Sequence, residues 1–319
     1  MIDISDIETA AQRIAAHVVR TPTVPSPGLG ALLGVPVTAK VELLQRTGSF
    51  KARGATAKLL SLSEAERAAG AVAVSGGNHG IALAVMAAAL EVKATVVMPR
   101  AAPARSIALA EDAGASVRLT DDMDSAFRLV TRLQDEGLTL VHPFDDPVVI
   151  AGQGTVGLEL AADAAELTDV VVSVGGGGLI AGVAAALRAR RPGVRVWGVE
   201  TEGAESMSAA LKAGGPVPVP LSSLVTTLSA PSVSQLTYDH VSALVEEVLV
   251  VPDRDAVQGC LDLAEHAKVW AEPAAGALLP AARQVVARAG AGARIGLVLC
   301  GGNTTPRELT GWAERFGLV

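Results

Sequence analysis

Val170-Val171-Val172-Ser173-Val174-Gly175-Gly176-Gly177-Gly178-Leu179 is an apolar run that meets four glycines and then opens a helix expected over Leu179–Arg190. A short valine-rich run bounded by glycine reads as a strand buried on both faces, the kind found in parallel sheets. The same unit recurs on either side. Further strands are expected at Val37–Glu42, Ala71–Ser75, Ala94–Met98, Ser116–Leu119, Arg195–Glu200, Glu247–Val251 and Ile295–Cys300. Helices are expected at Ser5–Val18, Ser49–Leu60, Ile81–Leu90, Pro103–Ala113, Met123–Glu136, Gly154–Asp163, Asp253–Lys268, Pro273–Ala289 and Pro306–Arg315. Strands alternating with helices give an α/β fold with an open, mostly parallel sheet. Ligands of such folds bind beyond the carboxyl ends of the strands, where Ser75, Gly175 and Cys300 all fall.

Composition narrows the function classes. A chain of 319 residues is long enough for a large core and for two lobes. Hydrophobic residues make up 50% but aromatics only 3%, and the net charge is -7, so neither base stacking nor phosphate attraction favours nucleic-acid binding. No apolar run reaches membrane-spanning length, and Met1-Ile2-Asp3-Ile4-Ser5-Asp6 is acidic, unlike a secretory leader. The two cysteines, Cys260 and Cys300, make neither a disulfide framework nor a zinc pairing. A cytoplasmic protein is expected.

Four stretches carry chemistry. In Gly175–Gly178 the missing Cβ atoms let several backbone amides converge on one anion at a helix start, which reads as a phosphate site. Gly176-x-Gly178-x-x-Ala181 also fits a dinucleotide fingerprint, with Glu200 at the end of the next strand where a ribose-binding acid belongs. On that segment alone the rival reading is a nicotinamide-dependent oxidoreductase. Gln45-Arg46-Thr47-Gly48-Ser49-Phe50-Lys51 places one lysine among small residues at a helix start. A buried lysine must lose or compensate its charge, and reaction with an aldehyde removes it. Ser75-Gly76-Gly77-Asn78-His79 is a strand-to-helix loop, and Cys300-Gly301-Gly302-Asn303 ends the last strand.

Taken in order, these stretches resemble the fold-type II pyridoxal-phosphate enzymes, in particular the threonine/serine dehydratase and serine racemase branch. The resemblance runs from residue 45 to residue 303 and includes His142-Pro143-Phe144-Asp145, Ala151-Gly152-Gln153-Gly154-Thr155 and Ala271-Glu272-Pro273. It implies two open α/β lobes with pyridoxal 5'-phosphate between them, a large one of residues 1–50 and 145–319 and a small one of residues 51–144. It implies that Lys51 carries the cofactor covalently and later takes the substrate's Cα proton. Phe50 would cover one face of the ring, Asn78 would meet its phenolic oxygen, and Gly175, Gly176, Gly177, Gly178 and Leu179 would hold its phosphate. Glu272 would stand near the cofactor and Cys300 would face the ring nitrogen. Ser75, Gly76, Gly77, Asn78 and His79 would hold the substrate carboxylate.

The activity implied is dehydration of a β-hydroxy amino acid, L-threonine or L-serine first, to a 2-oxo acid and ammonia. Alternatives within the family are serine racemisation and dehydration of 3-hydroxyaspartate, a phenylserine or a hydroxylated compatible-solute derivative. Racemases of the branch carry a second proton-transferring serine where this chain has Gly76, which argues for dehydration. Metal-binding members hold Mg²⁺ or Ca²⁺ at positions matching Glu200, the Ala204 carbonyl and Ser206, but with an acid in place of Ser206. A homodimer or higher homo-oligomer is expected, with a small-molecule amino-acid substrate and no nucleic-acid or membrane partner. The acidic run Asp121-Asp122-Met123-Asp124 reads as a solvated helix start.

Overall fold

A computed structural model describes residues 1–319. Its strands are β1 (Thr23–Pro25), β2 (Val37–Val41), β3 (Ala71–Val74), β4 (Ala94–Pro99), β5 (Ser116–Thr120), β6 (Thr139–Leu140), β7 (Asp169–Ser173), β8 (Arg195–Thr201), β9 (Glu247–Val251) and β10 (Ile295–Leu299). They form two sheets, one in the order β1-β2-β10-β7-β8-β9 and one in the order β5-β4-β3-β6. Every pairing is parallel except β1 with β2, which is antiparallel through Val24 opposite Ala39. The fold is the expected α/β one with mostly parallel sheets. Pro25 lies on β1 at the sheet edge, where its missing amide costs no ladder bond. In β7 and β10 every residue is buried, as helices covering both faces require.

The larger sheet gathers most of the core, from Val37 and Val170–Val172 to Ile295–Leu299. A second cluster fills the smaller sheet around Ala73, Leu83, Met86 and Val96. With so few aromatics, helices must approach closely to fill the interior. A Cβ on Gly152 would stand 2.8 Å from Gly54 Cα, so the helix Pro147–Asp163 lies directly on the helix Lys51–Ser61. Side chains then lock that contact. Arg53, fully buried, binds Glu42 at 2.8 Å and Glu159 at 2.7 Å, and Lys40 also pairs with Glu159. Removing one partner of such a cluster would strand a buried charge, so the helix carrying Lys51 is held in one place.

Several expected bounds shift. The helix expected from Gly154 begins at Pro147, capped by Asp146, whose carboxylate accepts from the Val148 and Val149 amides. The helix expected over Asp253–Lys268 is regular only to Asp262, then widens into a π-turn over Leu263–Ala267 and stops at Lys268, whose φ is 61°. Helices at Pro27–Leu33, Glu64–Ala69, Ser206–Ala213 and Gln235–Leu244 were not expected. The acidic run opens the helix Met123–Asp135, capped by Asp122, with all three acids exposed. No helix is long and apolar enough to cross a membrane.

Candidate active site

Lys51 is the first residue of its helix and lies beside the end of β10. A short antiparallel bridge fixes it there: Ser49 pairs with Gly301, the Phe50 amide donates to the Cys300 carbonyl at 3.0 Å, and the Gly302 amide donates to the Gly48 carbonyl at 2.9 Å. The Lys51 ammonium has one hydrogen-bond partner, the Pro143 carbonyl at 2.9 Å, and stands 5.1 Å from the Phe50 ring centroid. No carboxylate compensates it. Burial therefore pushes the Lys51 amine down to about 8, so a usable fraction is neutral near physiological pH.

A chain of amide side chains crosses the crevice. Asn303 donates to the Thr47 carbonyl at 2.8 Å and to Asn78 Oδ1 at 2.7 Å, while Asn78 Nδ2 donates to Glu272 Oε1 at 2.7 Å. Glu272 is buried, which pushes its carboxyl up to about 7 against the pull of the Asn78 bond. Cys300 lies on the same wall. Burial, with Glu272 nearby, pushes its thiol up to about 12, so it stays neutral and protonated. The Ser173 hydroxyl, bound to the Ala274 carbonyl at 2.6 Å, completes that wall. His79 turns away from the crevice, its Nε2 bound to the Val141 carbonyl at 2.7 Å, and burial pulls its pKa down to about 3.

Two loops offer unpaired amides. None of the Gly175, Gly176, Gly177, Gly178 and Leu179 amides donates to a backbone carbonyl. Gly177 has a φ of 88°, a left-handed turn that only glycine adopts without strain. The loop abuts Phe144, since a Cβ on Gly176 would lie inside that ring's contact distance. Across the crevice, the Gly76, Asn78 and His79 amides also find no backbone acceptor at the start of the helix Asn78–Ala89, and the Gly77 amide takes only the Ser75 hydroxyl at 3.2 Å. Each loop is a helix N-terminus with donors to spare, which suits an anion. A neutralisable lysine between two such cradles fits an aldehyde that carries a phosphate and reacts with an amino acid.

The expectation that Glu200 binds a ribose fails on geometry. Glu200 is fully buried and its carboxylate accepts from the Met207 and Ser208 amides and the Ser208 hydroxyl, at 2.7 to 2.9 Å, capping the helix Ser206–Ala213. It is not free for a ribose, which removes the support for the nicotinamide reading. Ser206 donates its hydroxyl to the Ala230 carbonyl, the Ala204 carbonyl accepts no backbone hydrogen bond, and no group of three His, Cys, Asp or Glu side chains gathers there.

The family model described as pyridoxal-phosphate dependent enzyme matches residues 14–301, nearly the whole chain. The protein belongs to that family. Its cofactor is pyridoxal 5'-phosphate. The chain is similar to an L-threonine ammonia-lyase of Thermotoga maritima, at 41% identity over 95% of this chain and 76% of that protein. It is also similar to a phenylserine dehydratase of Ralstonia pickettii, at 36% identity over 99% of this chain and 97% of that one. Among solved structures it superposes on maize serine racemase with a TM-score of 0.92 and 33% identity, covering 98% of this chain and 97% of the other.

Sequence reasoning passed over Pro143, Ser173 and Asn303 as site residues. Ser173 had a readable signal, a lone hydroxyl in an otherwise apolar buried strand. Asn303 had only its place after the last strand. The Pro143 carbonyl had none, because any residue supplies one.

Proposed function

We propose that this pyridoxal-phosphate dependent enzyme is an ammonia-lyase that dehydrates a β-hydroxy amino acid, L-threonine or L-serine, to a 2-oxo acid and ammonia. The observation that carries the reading is the half-buried Lys51 amine, bound to one carbonyl and set between two loops of unpaired amides. The bound cofactor supplies an electron sink for the carbon that loses a proton. Lys51 carries it. Released and neutral, the same amine takes the Cα proton, a role that its lowered pKa favours.

The remaining residues position the reactants. The Gly175–Leu179 amides would hold the cofactor phosphate, and Phe50 would cover one face of its ring. Asn78, fixed by Glu272 and Asn303, presents its second amide hydrogen to the phenolic oxygen. The Cys300 thiol would face the ring nitrogen and, being neutral, would not hold it protonated. The Ser75 hydroxyl and the Gly76–His79 amides bind the substrate carboxylate at a helix start. Gly76 offers no side chain to the opposite face of Cα, so a proton leaves without a group to return it from that side. Residues 51–144, built on the β5-β4-β3-β6 sheet, act as the small lobe. The enzyme works as a cytoplasmic homo-oligomer; the exposed apolar side chains of Leu44 and Trp270, at 55% and 50%, support self-association.

The test is a panel of L-threonine, L-serine, L-threo-3-hydroxyaspartate and L-threo-phenylserine, assayed for 2-oxo acid and ammonia. Release of both from threonine or serine at the highest rate is expected. Turnover confined to phenylserine or hydroxyaspartate would move the substrate assignment, and D-serine formation without 2-oxo acid would overturn the reaction class.

A further inference from the structure

Away from the Lys51 crevice, the helix Ile4–Ile14, the helix Pro147–Asp163 and the end of the helix Gly178–Arg190 enclose a surface groove of about 640 Å³. Its floor is apolar, made by Ile14, Val18, Leu158 and Ala161 among others. Its polar lining is unequally paired. Arg190 pairs with Glu8, Arg20 with Asp163, and Arg53 with Glu42 and Glu159. Arg191 pairs with nothing: its side chain makes no ion pair or hydrogen bond, its Nε is buried, and its two terminal nitrogens stay accessible and without an acceptor.

We propose that this groove binds a short aliphatic carboxylate, with the carboxylate on Arg191 and the alkyl chain on the apolar floor. A guanidinium presents a planar fork that matches a carboxylate in a bidentate pair. A monoanion is the right charge, since one cation is unmatched and the rim carboxylates of Glu8 and Glu159 would repel a second negative charge. The volume lies within the range of small-molecule sites. The inner wall includes Arg53, two residues beyond Lys51, so a bound ligand touches the ion cluster that fixes the Lys51 helix.

The experiment is titration calorimetry of the cofactor-loaded protein with 4-methylpentanoate, with acetate and inorganic phosphate as comparison probes. Saturable binding of one 4-methylpentanoate per chain is expected, tighter than acetate or phosphate. Arg191→Gln should weaken it by about tenfold or more. Ala161→Phe, which fills the floor, should weaken it as well. Asn78→Ala, in the Lys51 crevice, should leave it unchanged. The proposal is overturned by absence of binding up to about 10 mM, by phosphate binding as tightly as 4-methylpentanoate, or by binding that survives both groove variants and is lost in Asn78→Ala.

Discussion

Gly76→Ser adds to the substrate loop the hydroxyl that would serve the second face of Cα, and the structure shows what resists it. A Cβ built on Gly76 lies 2.9 Å from Ala102 Cβ, with Ala102 Cα at 3.6 Å and Pro99 Cδ at 3.7 Å. Carbon atoms pack best at about 3.5–4.0 Å, so the loop or Ala102 must move by roughly 0.6–1 Å. Neither atom is the end of a flexible side chain. Overpacking of this kind costs about 1–3 kcal/mol, and the single variant should lose that much stability. Ala102→Gly deletes the opposing methyl, so the double variant should recover most of the loss, with a coupling of about 1 kcal/mol or more. Urea unfolding reads the stability, and chiral chromatography beside a pyruvate assay reads the reaction. The double variant should form D-serine in a larger proportion to pyruvate than wild type. An uncrowded, fully stable Gly76→Ser would refute the packing argument. Wild-type protein that makes D-serine faster than pyruvate would refute the role given to Gly76.

Gly177→Ala places a side chain on a φ of 88° and within 2.7 Å of Met207 Cε, so half-saturation by cofactor should rise by more than about tenfold in a protein that circular dichroism shows to be folded. Lys51 titrates at about 8 in the fold and ordinarily at 10.5, so between those values the unfolded chain holds the extra proton and stability rises with pH. In cofactor-free protein, Lys51→Met should flatten that rise, as urea unfolding at stepped pH would show. Arg53→Met leaves Glu42 buried without its cation, while Glu159 keeps Lys40, and should cost about 3–5 kcal/mol by denaturant titration.

Strands such as Val170–Val174 and Ile295–Cys300 were legible because a strand buried on both faces must be apolar throughout. The glycine turn, the lysine and their order along the chain were legible for the same local reason, that each lies within one contiguous stretch. Helices that rest on tertiary packing were not. Pro27–Leu33 contains two glycines, and Gln235–Leu244 is capped by Ser234 with Thr237 in place of the usual acid. Gly152 and Gly154 hid the first turns of the helix Pro147–Asp163, although Asp146-Pro147 marked its start. Glu200 looked free at a strand end because the helix it caps was not foreseen. The Asn303–Asn78–Glu272 chain joins residues 225 and 194 positions apart, and the Gly76 contact with Ala102 depends on how two loops meet.

The central claim is that Lys51 carries the cofactor and moves the proton. Borohydride reduction of the purified, cofactor-loaded protein, followed by proteolysis and mass spectrometry, tests it most directly. The phosphopyridoxyl mass should appear on Lys51 alone, and Lys51→Ala should lose both that adduct and the visible absorbance after dialysis against a free amine. A reducible adduct on another lysine, or a Lys51→Ala protein that still releases 2-oxo acid at the wild-type rate, would contradict the account.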